Sequence, residues 1–512
     1  MKLRIILLFL ILNSIVDAQQ NLQSTHVYFR DRLFETNRAE KYTGNSFLPV
    51  NESDYDIQKF IKDTTVQYYE LYEVLYKKHI IEIKAKDCYL TFSPVIDLTY
   101  GTNVLDTGKF LYQNTRGFLV EGDLFKNFSF ATTFHENQAR FSRYENDYML
   151  SRGEYYPTNT GYSQDNAVVP GAMRTKDFRY GAFDYAYALG YISYRPIKNL
   201  SLYVGNNQQF IGSGYRSVLL SDNSVGAPYF RVDYQISKKW SFNYLRTRNL
   251  NLIRKKYKTT VEAYYQPKGL AVNYLSYRAS DKLHISLFEG AIWQMGDSLA
   301  TKRANILFYN PIPFIATFLK DKTVFAIQGL NVNYVLNNYI RLYSQFALSS
   351  FNRKNFAFQI GSRFSDLFKI KSWMLQAEYN IVSPKMFEAN FDRMSYSQYN
   401  LPLAHTKGAG FHEAIIRSSF EKYRFYADIK SVTYFLNHFS NKSLLPVVKN
   451  ETIYNDIILL NQIEIGYRVN KKLNWCLFGN VLYRQQIGDL NQKTLVFQIG
   501  MKTGLINHYN DY

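Results

Sequence analysis

Eight histidines, at positions 26, 79, 135, 284, 405, 412, 438 and 508, are the residues with which this chain could do acid–base or metal chemistry. Zinc hydrolysis needs two histidines one helical turn apart with a glutamate beside the first. His412-Glu413 opens such a motif, but no second His follows at that spacing, and the pair lies in a strand-like alternation. The other histidines are dispersed, and no phosphate-binding loop, nucleophile elbow or calcium loop occurs. Ser221-Asp222 and His135 could be cast as the nucleophile and acid–base partners of a barrel hydrolase, which must converge near an outer rim. Nothing in their spacing requires it. The pattern reads as non-enzymatic, with no metal and no cofactor.

Binding chemistry is better represented. Gly205-Asn206-Asn207-Gln208-Gln209-Phe210 leads to Gly212-Ser213-Gly214-Tyr215-Arg216 and then to Leu219-Leu220-Ser221-Asp222-Asn223. Glycines let the backbone fold tightly, and amides with an arginine offer the multiple donors and acceptors that sugar hydroxyls and carboxylates require. Two uses fit, and they are compatible. One is a glycan site built on Asn206, Asn207, Gln208, Gln209, Tyr215, Arg216, Asp222 and Asn223; the other is a loop folded into a lumen as a plug. A second stretch, Arg140 to Arg179, sets Tyr144, Tyr148, Tyr155, Tyr156 and Tyr162 among polar residues. Exposed tyrosines in such company read as a carbohydrate or protein contact.

The elements that must position these residues are strands. About eighteen segments place an apolar or aromatic residue at every second position, as in Leu90, Phe92, Pro94, Ile96, Leu98 and Tyr100, or Leu495, Phe497, Ile499 and Met501. Period two puts one set on each face of a strand. Aromatics are 17% of the chain, with 45 Tyr and 38 Phe, yet mean hydropathy is only −0.30. That balance suits a barrel wall with aromatic girdles and a polar interior. In Phe183, Tyr185, Tyr187, Leu189 and Tyr191 the rings read as the outward set. Asp184, Ala186, Ala188 and Gly190 then form an inner set small enough for something to pack close in the lumen. Short polar turns such as Lys126-Asn127 and Lys238-Lys239 alternate with long loops at Ala139 to Arg179 and Pro384 to Gly408, as barrel topology demands.

Lys2, Arg4, the apolar run Ile5 to Val16 and Val16-Asp17-Ala18 predict a leader over 1–18, cleaved before Gln19. Residues 19–87 form an N-terminal periplasmic region in which Ile57, Phe60, Ile61, Tyr68, Leu71, Tyr72 and Leu75 predict a helix between Asp54 and Lys78. The barrel takes 88–512. No later apolar run is long enough for a helical span; the nearest, Ile306 to Leu319, is broken by Pro311 and Pro313. Cys88 and Cys476 lie in the first and the penultimate candidate strands, which closure would bring near enough for a bridge, but two unpaired thiols are the preferred reading. The net charge of +19 points to lipid phosphates and acidic polysaccharide as partners of an exported chain, and not to nucleic acid.

Several segments carry a family resemblance. Asp63-Thr64-Thr65-Val66-Gln67-Tyr68-Tyr69 with Glu73-Val74-Leu75-Tyr76-Lys77-Lys78-His79 resembles the N-terminal region of the RemB family of gliding-motility outer-membrane proteins of Bacteroidetes. Leu111-Tyr112-Gln113-Asn114-Thr115-Arg116-Gly117, Glu121-Gly122-Asp123 and Glu136-Asn137-Gln138-Ala139-Arg140-Phe141 resemble it too. That family is in turn similar to the Wzi capsule-assembly family. The resemblance runs along most of the chain after residue 50. It implies an eighteen-stranded barrel with N-terminal helices and a plugged lumen, acting as a lectin that holds capsular polysaccharide on the cell surface. The stretch Gly205 to Asn223 resembles the family's glycine-containing strand and loop, but no individual sugar-contacting residue carries over.

The expectation is therefore all-β: an outer-membrane barrel of about eighteen antiparallel strands with a short N-terminal helical element. It would engage surface polysaccharide or adhesive material in support of gliding or capsule assembly, alongside outer-membrane lipid and the gliding or capsule machinery. The alternative is a passive porin for small solutes.

Overall fold

The computed structural model describes residues 24–36, 46–51, 72, 75–76, 79–106, 110–125, 127–254, 265–296, 302–319, 323–350, 354–440, 444–447 and 453–512. Eighteen strands form one antiparallel circuit. They are β1 (Cys88–Asn103), β2 (Phe110–Leu124), β3 (Phe128–Arg140), β4 (Ala182–Ile197), β5 (Leu200–Asn207) and β6 (Ala227–Gln235). Next come β7 (Trp240–Asn251), β8 (Gln266–Arg278), β9 (Leu283–Gln294), β10 (Val324–Val335), β11 (Ile340–Ser349) and β12 (Phe356–Phe364). The last are β13 (Trp373–Val382), β14 (Phe411–Lys422), β15 (Phe425–Leu436), β16 (Ile457–Asn470), β17 (Trp475–Ile487) and β18 (Gln492–Thr503). Each pairs with its neighbour in sequence, and β18 closes on β1, Val496 opposite Asn103 and Lys502 opposite Asp97. Closure leaves no open edge among them.

Two short strands patch the wall. Ile81–Ala85 forms a hairpin with the first residues of β1, Ala85 opposite Cys88. Arg174–Phe178 pairs with Ala182 to Ala186 of β4. Connections after even-numbered strands are short turns, and the longest ones, 141–181, 208–226, 295–323, 383–410 and 437–456, all leave the opposite rim. Near the short-turn rim, rings pair across strands: Phe128 with Tyr194 at 4.5 Å, Trp240 with Tyr277 at 4.4 Å and Phe425 with Tyr467 at 5.1 Å. Such pairs are an interfacial girdle.

In β1 the apolar set Leu90 to Tyr100 faces out, while Thr91, Ser93, Val95 and Thr99 are buried inside. In β4 the faces are the reverse of the sequence expectation. Phe134, exposed on the outer face of β3, lies opposite Ala188, and Thr132 lies opposite Gly190. The small residues are thus outside, and Tyr185, Tyr187, Leu189 and Tyr191 are buried within. Period two fixes that the faces differ but not which is inner, and an occupied lumen suits rings as well as lipid does. Tyr187 donates to the Pro170 carbonyl at 3.1 Å and packs edge-on against His508 at 5.7 Å.

The described N-terminal helix is Val27–Thr36. The helix predicted between Asp54 and Lys78 lies outside the described residues apart from Tyr72, Leu75 and Tyr76. The Arg424 guanidinium sits 4.8 Å over the Tyr76 ring, and Asn470 donates to the Leu75 carbonyl at 3.3 Å. The leader also lies outside the described residues. Cys88 and Cys476 are both free thiols.

Candidate functional site

A barrel of eighteen strands is too wide for its side chains to fill. Here chain segments occupy the lumen. Every residue from Gln208 to Ala227 is buried. The segment leaves the wall after Asn207 and returns at Ala227, its opposite number in the β5–β6 ladder. At its base Gln208 Nε2 donates to the carbonyls of Asp222 and Ser224, both at 2.8 Å, which closes the loop on itself. Gln209 Oε1 accepts from Arg231 at 2.9 Å, and Arg231 also pairs with Asp233 at 2.6 Å. Gly212 takes a φ of 129°, and a Cβ there would meet Gln345 Nε2 at 2.3 Å, so this turn requires glycine.

The segment's tip meets the far wall. The backbone N–H groups of Tyr215 and Arg216 donate to the two carboxylate oxygens of Glu378, at 2.7 and 3.1 Å. The Arg216 guanidinium, 2% exposed, lies between Asp511 at 2.7 Å and Glu413 at 3.2 Å and donates to Tyr434 at 2.9 Å. Tyr215 donates to the other oxygen of Asp511 at 2.8 Å, where Lys430 also binds at 2.8 Å. Burial would raise the Asp511 carboxyl, but Arg216 and Lys430 outweigh it and hold it well below the usual carboxylate range. His405 Nε2 lies 2.6 Å from Glu413. Burial keeps this imidazole below its ordinary value in spite of the carboxylate.

Four more segments complete the filling. Residues 504–512 turn back into the lumen: Asp222 accepts from Asn507 and from the Tyr509 hydroxyl, both at 2.7 Å. The helix Val27–Thr36 is tied in by Asp31, which binds Arg363 at 2.7 Å and Arg417 at 3.0 Å, and by Arg30, which donates to Tyr509 at 3.1 Å. Phe47 and Leu48 pair as a short antiparallel ladder with Ile211 and Phe210. The loop 383–410, one of the two long loops read from the sequence, folds inward, and Tyr396 donates to the Leu219 carbonyl at 3.0 Å. A polar cavity of about 320 Å³ remains on the side of β16–β18, β1 and β2, lined by Gln113, Gln462, Asn480, Gln498 and Lys502 among others.

Gln208, Gln209, Tyr215, Arg216, Asp222 and Asn223 are thus brought together in the interior, all of them buried. Asn206 and Asn207 are half-buried. Asn206 shares the outer face with exposed Val204 and donates to the Ala188 carbonyl at 2.9 Å, so it stands apart from the others. The hydrolase grouping is not brought together. The Ser221 hydroxyl accepts from the Asn223 N–H at 3.3 Å, Asp222 is engaged as above, and His135 lies 2.8 Å from Thr133. Sequence reasoning missed Asp511, Tyr509, Asn507, Glu378 and the pairing of His405 with Glu413. The signal available for the tail was negative: the alternation stops at Lys502, and a polar, Tyr-rich run follows.

The tyrosines of 140–179 are not exposed as expected. Tyr144 and Tyr155 are buried; Tyr144 donates to the Asn510 carbonyl at 2.6 Å, and Tyr148 stacks on Tyr512 at 4.0 Å. Tyr144 and Tyr148 clamp the tail. At the long-loop rim, however, a partly buried cluster remains, its Arg254 and Glu154 side chains 12% and 13% exposed. Glu154 pairs with Arg254 at 2.6 Å and accepts from Tyr265 at 2.9 Å and Tyr156 at 3.1 Å, while Asn166 donates to Tyr156 at 3.0 Å.

No family model matches the chain, and no curated protein matches it. Among solved structures it is similar to Wzi, an outer membrane protein involved in group 1 capsule assembly in Escherichia coli and a carbohydrate-binding β-barrel. The identity is 12% over 94% of this chain and 99% of that one, with a TM-score of 0.55. A BenF-like porin from Pseudomonas fluorescens Pf-5 (10% identity, 81% and 98% of the chains, TM-score 0.44) and OpdQ of Pseudomonas aeruginosa (11%, 81% and 98%, 0.42) also match. At 12% identity the likeness to Wzi is one of fold: the chain has a Wzi-like barrel.

Proposed function

We propose that this chain is a non-enzymatic outer-membrane barrel, exported by the 1–18 leader, whose long-loop rim engages surface polysaccharide while its lumen stays occupied. The unbroken buried run from Gln208 to Ala227, cross-tied to 24–36, 46–51 and 504–512, carries this reading. Because the buried amides and Arg216 are spent on internal partners, the glycan contact moves outward to the cluster of Glu154, Tyr156, Asn166, Arg254 and Tyr265. Ring faces, an amide, a carboxylate and a guanidinium held by one another suit sugar hydroxyls and acidic sugars. The basic surplus favours an acidic polymer. Support of capsule attachment or of gliding, with the matching machinery as partners, is the cellular role that fits the family resemblance.

The residual polar cavity of about 320 Å³ favours a second reading, a passive porin, if it joins both rims. Planar-bilayer recordings and polysaccharide retention on the same preparation separate the two. The lectin-like reading expects no open-channel current, and retention of acidic polysaccharide that falls about tenfold in a Tyr156→Ala/Arg254→Ala double variant, a loss of roughly 1.4 kcal/mol. Steady current from the intact protein, or retention unchanged by the double variant, would sink it.

A further inference from the structure

The apolar run Ile306 to Leu319, too broken for a membrane helix, has another place in the fold. Residues 302–319 leave the end of β9 and lie against the outside of the barrel. The wall beneath them is unusual. Arg246 of β7 shares the outward parity of Trp240, Phe242 and Tyr244, and Glu289 of β9 shares that of Leu283, Ile285 and Leu287. Asn273 of β8 lies opposite both Tyr244 and Glu289. These three polar side chains therefore face lipid, and the segment covers them. Arg246 donates to the carbonyls of Phe308 at 2.5 Å and Asn310 at 2.6 Å. Glu289 accepts from the N–H groups of Phe314 at 2.8 Å and Thr317 at 3.1 Å and from the Thr317 hydroxyl at 3.0 Å.

The wall is also shaped to receive the segment. Ala271, Ala291 and Ala326, on three adjacent strands, form an outer cluster with Trp293, Phe308 and Ala316. A Cβ on Gly269 would lie 2.6 Å from the Phe308 ring. On its far side the segment exposes Ile306 (79%), Ile312 (58%) and Phe318 (76%). Height decides what meets them. From Trp240 in the girdle to Arg246 the strand climbs about 20 Å, or about 14 Å of height at a tilt of about 45°. That is the middle of an apolar band about 25 Å tall.

We propose that residues 302–319 are a flap inserted into the outer leaflet, which seals the Arg246–Asn273–Glu289 cluster from lipid and presents Ile306, Ile312 and Phe318 to acyl chains. The occupant is lipid because the exposed side chains continue the barrel's own lipid-facing band. Exposed Lys302 and Arg303 sit where the flap begins, beside the rim, where lipid phosphates lie.

Single cysteines test this. Ile312→Cys and Phe318→Cys, each in a Cys88→Ser/Cys476→Ser background, carry an environment-sensitive fluorophore; Asp147→Cys, exposed on the helix Arg143–Ser151, is the control. Proteins whose barrel migrates as folded on unheated gels are placed in phosphatidylcholine vesicles containing lipid spin-labelled at mid-chain. The proposal expects quenching by that lipid at least threefold greater at 312 and 318 than at 147, with little quenching by iodide. Iodide quenching equal to that at 147 overturns it. So does shielding from both quenchers that grows with protein density, which would mean a second copy covers the surface.

Discussion

Inside this barrel and outside it, polar groups sit where a bare wall could not satisfy them, and the two places solve the problem differently. In the lumen, one guanidinium joins distant segments: Arg216 binds Asp511 of the tail, Glu413 of β14 and Tyr434 of β15, while its backbone binds Glu378 of β13. Under the flap, Arg246 and Glu289 meet a single connection, 302–319, and Asn273 bridges the two of them. The lumen is a network of many segments, and the outer cluster is a local clasp. Shared partners couple energetically, whereas independent ones add. Damage should therefore spread inside and stay local outside.

The largest effect is expected from removing the network's centre. Replacing 208–226 by a short glycine-containing turn between Asn207 and Ala227 leaves the wall ladder intact and takes the plug away. Bilayer recordings should then show open-channel current absent from the intact protein. A silent deletion variant that still migrates as a folded barrel would mean that loop 383–410 and the tail fill the lumen without it.

Arg216→Leu keeps the loop and removes the charge. Asp511 and Glu413 are left buried, and breaking a buried pair from one side costs roughly 3–5 kcal/mol. Thermal conversion of the folded to the unfolded gel species should move down, and a cysteine at Asn510 should become reactive because the tail loses its anchor. Glu289→Leu is the matching cut outside. It leaves the N–H groups of Phe314 and Thr317 without their acceptor, at roughly 1–3 kcal/mol for each group. Cleavage by protease within 302–319 should rise while the barrel transition stays put. Equal shifts in barrel stability from the two variants would break the contrast between network and clasp.

The sequence made the wall legible and left its contents obscure, for one physical reason. Alternation reports the difference between two faces, so the strand count, the alternating connections and the outward set of β1 could all be read from it. It could not tell that Tyr185 and Tyr187 face inward, because a packed lumen and lipid both accept rings. The helix Val27–Thr36 shows no single apolar stripe: Tyr28, Phe29, Leu33 and Phe34 are buried, but Arg30 is buried beside them and Asp31 binds the wall. A segment enclosed on all sides does not carry the one-sided period of a surface helix. Of the candidate site, the Gly205 to Asn223 interruption was visible, since glycine and amides in place of alternation mark a departure from the wall. Asp511 and Glu378, which receive its tip, belong to a tail and to a strand without local peculiarity. Only closure brings them near.

The smallest predicted effect concerns how the tail is held as pH falls. His508 is packed against Tyr187, and burial, with Lys502 adding to it, pulls its imidazole down to about 4. A released tail would titrate near 6.5, so between these values the free segment binds the proton and the docked one does not. Stability is then complete above about pH 6.5 and is lost as pH falls, by roughly 1 kcal/mol at pH 5.5. His26, which burial also pulls down, acts in the same direction. Asp511 adds its own loss only once pH drops through the ordinary carboxylate range, because its folded value lies well below that range. Reactivity of a cysteine at Asn510 should therefore rise in two stages, one from pH 6.5 down to about 4 as the imidazoles charge and one below 4 as Asp511 takes up its proton. His508→Gln should flatten the first stage and spare the second. A first stage untouched by His508→Gln would assign it to His26 at the helix, and the tail would then be held from the N-terminal side.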